Sequence, residues 1–226
     1  SDAPESNYPK RMSFEKFERT FSDGGVAKGY IAIADFDNGV DEEVAAHLQS
    51  LQAQGAKGFV FDVRNNPGGY LKMMCNILDT LLPEGIIITT VDKAGGQTPY
   101  TSDAEYLDAP LVVITNEYSI SAAEFFAAAL QEYGVATVVG QKTSGKGYSQ
   151  QTFELGDGSS VHISTTRYYT PKGNSLAETG VTPDQTVEMS LEDIYALASG
   201  KLEQAEDEQL QAAIQSLNTL IAQLPV

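Results

Sequence analysis

At 226 residues the chain is long enough for one large domain or two small ones, and either can bury a sizeable core. Its 14 Lys and Arg against 31 Asp and Glu leave a formal charge of −17, which repels phosphate backbones and anionic lipid and sets aside nucleic-acid and polybasic membrane roles. The single cysteine, Cys75, excludes an internal disulfide and a cysteine zinc cage, and two histidines do not make a histidine-rich metal site.

In chain order, residues 1–28 open with polar positions and prolines and read as a leader or linker, and residues 29–226 as the folded unit, C-terminal helix included. Residues 30–36 alternate as a strand, and Asp41 then caps a helix that turns Val44, Leu48 and Leu51 to one face before Gly55. A second strand at 59–64 runs into the turn Asn65-Asn66-Pro67-Gly68-Gly69 and a helix to about Leu82. In that helix Cys75 reads as a buried, inert thiol. Residues 86–91 read as a third strand of the same series. The unbroken apolar run at 111–115 has the look of a strand covered on both faces, followed by a helix at 122–133 and a short strand at 136–139. This strand–helix rhythm predicts a mostly parallel sheet with flanking helices. Beyond Gly147 the pattern becomes a hairpin, 151–155 against 160–167. Leu210, Ile214, Leu217, Ile221 and Leu224 then form a helical stripe, with Glu203, Glu206, Asp207 and Glu208 near its start.

Three segments carry candidate chemistry. Gly140-Gln141-Lys142-Thr143-Ser144-Gly145-Lys146 fits a phosphate-binding loop in letters only. Gly147 stands where a magnesium ligand is needed, and a strand rather than a helix follows. Lys146, flanked by glycines, is instead a candidate base, since burial among apolar groups would favour its neutral amine. Ser121 stands where a buried strand turns into a helix, beside small Ala122 and Ala123; it is a candidate nucleophile, and a helix cap is the competing reading for it and for Ser119. Residues 65–69 either make a tight turn or aim a backbone N–H at a neighbouring site. Brought together, the three would supply the nucleophile, base and oxyanion donors of acyl transfer.

These residues sit in six ordered blocks: Gly29-Tyr30-Ile31-Ala32-Ile33, Asp62-Val63-Arg64-Asn65-Asn66-Pro67-Gly68-Gly69, Ser119-Ile120-Ser121-Ala122-Ala123-Glu124, Thr143-Ser144-Gly145-Lys146-Gly147-Tyr148-Ser149-Gln150, Tyr168-Tyr169-Thr170-Pro171 and Gly180-Val181-Thr182-Pro183-Asp184. In this the chain resembles the carboxyl-terminal processing proteases, relatives of the tricorn protease core. The resemblance implies a serine endopeptidase that cuts extended or unfolded polypeptides, often near their C-termini. It implies Ser121 as nucleophile, Lys146 as base, Gln150 holding that lysine, and the N–H groups of Gly69 and Ala122 as the oxyanion hole. It further implies an α/β fold of the ClpP/crotonase type, a spiral of ββα units whose mostly parallel central sheet carries flanking helices and a β-hairpin insertion. No metal or organic cofactor is called for, an oligomer is compatible, and the expected location is extracytoplasmic. Two positions depart from the family pattern: Ala123 replaces a frequent third serine, and Ser144 a frequent phenylalanine. Residues 1–28 are too few for the PDZ domain many members carry, so the expectation is a catalytic fragment or a member without one. The alternatives are an inactive peptide-binding module of the same fold and, with less support, a crotonase-like acyl-CoA enzyme.

Overall fold

The structure, a computed structural model, describes residues 18–23 and 26–224, with side chains at all of these except 18–23, 149–154 and 162–165. Its central sheet has the order β1-β2-β3-β6-β7-β10. The parallel members are β2 (Val26–Ala32), β3 (Phe59–Asp62), β6 (Leu111–Thr115), β7 (Ala136–Gly140) and β10 (Gln185–Thr186). β1 (Glu18–Asp23) lies antiparallel to β2 at the edge. Every residue of β3 and β6 is buried, which accounts for their unbroken apolar runs.

Side chains alternate between two cores, as the period of a strand requires. Phe59, Phe61, Leu111 and Val113 face the larger one, beneath α1 (Val40–Ala53), α2 (Leu71–Leu81) and α3 (Ala122–Tyr133). Val60, Val112 and Ile114 face the smaller one, closed by Leu210, Ala213 and Leu217 of α5 (Glu208–Ala222). The C-terminal stripe is thus a core face. α3 is buried along nine of its twelve residues, with Phe126 set 5.7 Å from the rings of both Phe36 and Phe61.

The expected parallel sheet with flanking helices is what the chain forms, but the 86–91 strand does not join it. It lies in β4 (Gly85–Asp92), within a separate antiparallel sheet of order β5-β4-β9-β8 that also contains β5 (Gln97–Ser102), β8 (Tyr148–Glu154) and β9 (Ser160–Tyr169). Only Ile87 and Ile88 of β4 are buried, whereas a strand inside the parallel sheet is covered on both faces. The helix expected to be capped by Asp41 begins two residues earlier, at Val40. Gly39, at φ 89°, takes the cap position, and Asp41, Glu42 and Glu43 occupy the first turn, where their charge suits the helix dipole. β5 and α4 (Leu191–Ala198) leave no clear pattern in the sequence, because β5 is mostly exposed and α4 buries only Ile194.

Cys75 is buried on α2, and burial together with the nearby Asp79 pushes its thiol up from 9.0 to about 12. The folded state therefore favours the neutral thiol. That preference is fully present below pH 9 and is lost as the pH rises from 9 toward 12. The native protein should resist alkylation by iodoacetamide at pH 8 and react at once when unfolded in urea, which mass spectrometry of the two samples checks.

Candidate active site

The site is assembled where β3 and β6 end. Past β6, Asn116 and Ser119 form a closed turn. The Asn116 N–H donates to Ser119 Oγ at 3.0 Å, and Ser119 Oγ donates to the Val63 carbonyl at 2.8 Å. Ser119 is fully buried and its hydroxyl is spent on this turn. Ser121, two residues on, is only partly buried and has φ 57° and ψ −115°, a region non-glycine residues rarely adopt. Such strain on a strand–turn–helix corner presents a side chain outward at the start of the helix.

The turn after β3 is locked against this corner. Asn65, also at positive φ (57°), donates its N–H to Asn116 Oδ1 at 3.0 Å, and Asn116 Nδ2 returns a bond to Asn65 Oδ1 at 2.9 Å. The buried Asn66 donates from Nδ2 to the Ile33 carbonyl at 2.7 Å and accepts the Gly68 N–H at 2.8 Å. Its own carbonyl accepts the Ile120 N–H at 2.9 Å. A Cβ on Gly69 (φ 148°) would lie 2.6 Å from the Phe36 backbone, and one on Gly68 would lie 3.0 Å from Ser121 Cβ. Only glycine permits these approaches. The N–H groups of Gly69 and Ala122 have no acceptor among the described residues, so both remain available as donors next to Ser121.

The third segment, residues 141–147, is tied to the corner by Glu124, a fully buried side chain in the first turn of α3. Glu124 Oε2 accepts the N–H of Ser121 and of Lys146, both at 2.8 Å. Oε1 accepts the Thr143 hydroxyl and the Gly145 N–H, both at 2.6 Å. One carboxylate thereby fixes the backbone of Ser121 and of Lys146 at once.

Ser121, Lys146, Gly69 and Ala122 all line one cleft of about 320 Å³. Pro67, Leu71, Met74, Ile88, Phe125, Tyr148 and Tyr168 complete its lining, but Met74, Ile88 and Phe125 are buried and the surface the cleft presents is mostly polar; Tyr168 stands edge-on to Phe125 at 5.5 Å. Lys146 is exposed at the rim rather than buried among apolar groups as the sequence reading expects, because the cleft is open to solvent on that side. Gln150 lies on β8, opposite Ser164 of β9; its side chain is outside the described residues. Sequence reasoning passed over two features. Leu71 and Met74 have the spacing of ordinary core positions, so nothing distinguished them. Glu124 did carry a signal, since Ser121-Ala122-Ala123-Glu124 has the spacing of a capping box.

With this geometry in place, comparison with known proteins is informative. The model of peptidase family S41 matches residues 27–187. The carboxyl-terminal-processing protease of Synechocystis sp. is 39% identical over 199 residues, covering 88% of this chain and 45% of that protein. The chloroplastic C-terminal processing peptidase of Tetradesmus obliquus is 34% identical over 165 residues, covering 71% and 36%. Among solved structures, a photosystem II D1 C-terminal processing protease superposes with a TM-score of 0.69 at 29% identity, covering 83% of this chain and 50% of that one. The chain spans less than half the length of these two sequence relatives.

Replacing Glu124 with alanine strands the three N–H groups and one hydroxyl it accepts from. The expected loss is about 2–4 kcal/mol, read as a lower urea midpoint with an unchanged slope.

Proposed function

The chain belongs to peptidase family S41, and from that premise we propose that it is a serine endopeptidase working through a Ser121–Lys146 dyad. The observation that carries this reading is Ser121 itself. It is held at positive φ at the mouth of α3, in one cleft with Lys146 and with two N–H groups that have no acceptor among the described residues. In the proposed reaction Ser121 Oγ attacks a peptide carbonyl carbon while the neutral Lys146 amine takes the hydroxyl proton. The carbonyl oxygen becomes an oxyanion and accepts hydrogen bonds from the Gly69 and Ala122 N–H groups, donors typically worth about 3–4 kcal/mol each. Collapse breaks the C–N bond, Lys146 passes its proton to the departing amine, and water then releases the acyl group by the same route.

The exposure of Lys146 fits this scheme once a substrate is considered. A polypeptide laid along the cleft covers the rim, strips water from the amine and favours its neutral form. Gln150, on the neighbouring β8, is assigned to hold that lysine. Leu71 is the partly exposed aliphatic residue of the lining, backed by the buried Met74, Ile88 and Phe125, and a small or apolar side chain next to the cut would rest there. An extended, unfolded polypeptide is the substrate class, since a strand-like segment enters such a cleft and a folded surface does not. Work outside the cytoplasm is part of the same proposal. The inactive peptide-binding alternative has no missing group to rest on, because each residue assigned to the chemistry is present in the sequence.

The protein should degrade denatured casein, and Ser121→Ala and Lys146→Ala should each lower the rate by about 1,000-fold or more. Either variant cleaving as fast as the parent overturns the dyad. Saturable peptide binding without turnover, and without labelling of Ser121 by an acylating probe, would establish the binding module instead.

A further inference from the structure

Behind the central sheet, on the side away from the cleft, lies a buried ionic group that the proposed chemistry does not use. The Arg64 side chain is 1% exposed and is shared by two carboxylates. Its Nε donates to Asp62 Oδ1 at 3.0 Å, and its Nη2 donates to Asp62 Oδ2 at 2.6 Å and to Asp207 Oδ2 at 2.7 Å. Nη1 donates to Asp207 Oδ1 at 2.8 Å and to Gln209 Oε1 at 3.3 Å. Tyr30 closes the far side, its hydroxyl donating to Asp62 Oδ2 at 2.8 Å. Burial opposes the Arg64 charge, but the Asp62 carboxylate more than restores it and holds the guanidinium above its ordinary pKa. Burial and Asp62 likewise hold the Tyr30 phenol well above its usual value.

As a stabilising device this arrangement is poor. One positive and two negative charges are taken out of water, and apolar residues of similar volume would serve stability as well or better. Its position is what distinguishes it. Arg64 is the residue immediately before the 65–69 turn that carries the Gly69 donor. Gln209, fully buried, donates from Nε2 to the Val187 carbonyl at 2.7 Å and to Gln141 Oε1 at 3.3 Å. Gln141 in turn opens the segment that carries Lys146, and its backbone is pinned to Thr115 at the end of β6 by bonds of 2.9 and 2.8 Å. The first turn of α5 therefore grips the start of both loops, from residues far along the chain.

We propose that the start of α5 is a latch that sets the oxyanion turn and the lysine loop together, with Asp207 and Gln209 as positioning residues for the reaction. This rests on the reading of the site given above. Neither residue lines the cleft, so the latch acts on the placement of the reacting groups and leaves the rest of the lining untouched. Asp207 also caps α5 by accepting the Leu210 N–H at 3.0 Å. Asp207→Asn keeps a cap oxygen and removes only the charged acceptor facing Arg64, so it separates the two roles.

Asp207→Asn and Gln209→Leu should lower kcat on an unfolded substrate by about 10–100-fold with KM within about two-fold of the parent. Both should also speed amide hydrogen exchange in residues 64–70 and 141–147. Leu217→Ala, which opens the core under the same helix, should lower the melting temperature while leaving kcat and exchange in those two segments at parental values well below the transition. Parental kcat and parental exchange in both latch variants would overturn the proposal. So would Leu217→Ala lowering kcat as far as Asp207→Asn does, since stability alone would then explain the effect. Exchange is read without substrate. Loosened loops in Asp207→Asn alongside an active Ser121→Ala would uphold the latch and sink the dyad, whereas rigid loops alongside an inactive Ser121→Ala would sink the latch alone.

Discussion

The Glu124 carboxylate, buried in the first turn of α3, accepts hydrogen bonds from the backbone of Ser121, Gly145 and Lys146 and from the Thr143 hydroxyl. An acceptor of this kind sets distances between segments that otherwise have no reason to agree. Ser121 sits in a backbone conformation that costs on the order of 1–3 kcal/mol, and such a conformation persists only where its surroundings over-determine it. Glu124 from one side, and the Asn66 carbonyl holding Ile120 from the other, provide that over-determination. Without them the strand-to-helix corner would relax, and the serine would turn away from the two donors beside it.

The parallel sheet explains why these pieces meet at all. The segments that build the cleft, 63–69, 116–121 and 141–147, each follow the C-terminal end of a parallel strand: β3, β6 and β7, three neighbours in the sheet. Ligand sites in open α/β sheets gather at that edge because every crossover there must leave the sheet and turn. The strands themselves are featureless apolar runs whose work is to be immobile. The asparagines at 65, 66 and 116 convert that immobility into a defined loop, by bonding turn to turn where backbone pairing has stopped. The antiparallel sheet then contributes Ile88, Tyr148 and Tyr168 to the opposite wall.

How much of this was legible in the sequence differs by element for physical reasons. Residues 111–115 and 122–133 were readable because burial on both faces leaves an unbroken apolar strand, and because a helix buried around most of its surface needs many small and apolar residues. The 86–91 segment misled because a short apolar run has the same letters in a parallel sheet as in an inner strand of an antiparallel one. Its partner β5, mostly exposed, carries little hydrophobic signal to correct the error. Ser121 and Lys146 could be named as candidates from the residues, Gly69 and Ala122 through the family resemblance, and the four do share one cleft. The environment of Lys146 could not be named, since exposure depends on which walls close over a loop. Asp207 was visible only as a helix-start acid and Gln209 carried no signal, because nothing local to them encodes a contact with Arg64, 143 and 145 residues away.

The exposure of Lys146 bears on how such a site is poised. A lysine buried permanently beside a serine would need its amine desolvated in every molecule, at the expense of folding stability. Here the backbone of that lysine is fixed by Glu124 while its side chain remains at the rim. In the proposed mechanism the substrate brings the last wall, so part of the desolvation is drawn from substrate binding rather than from folding.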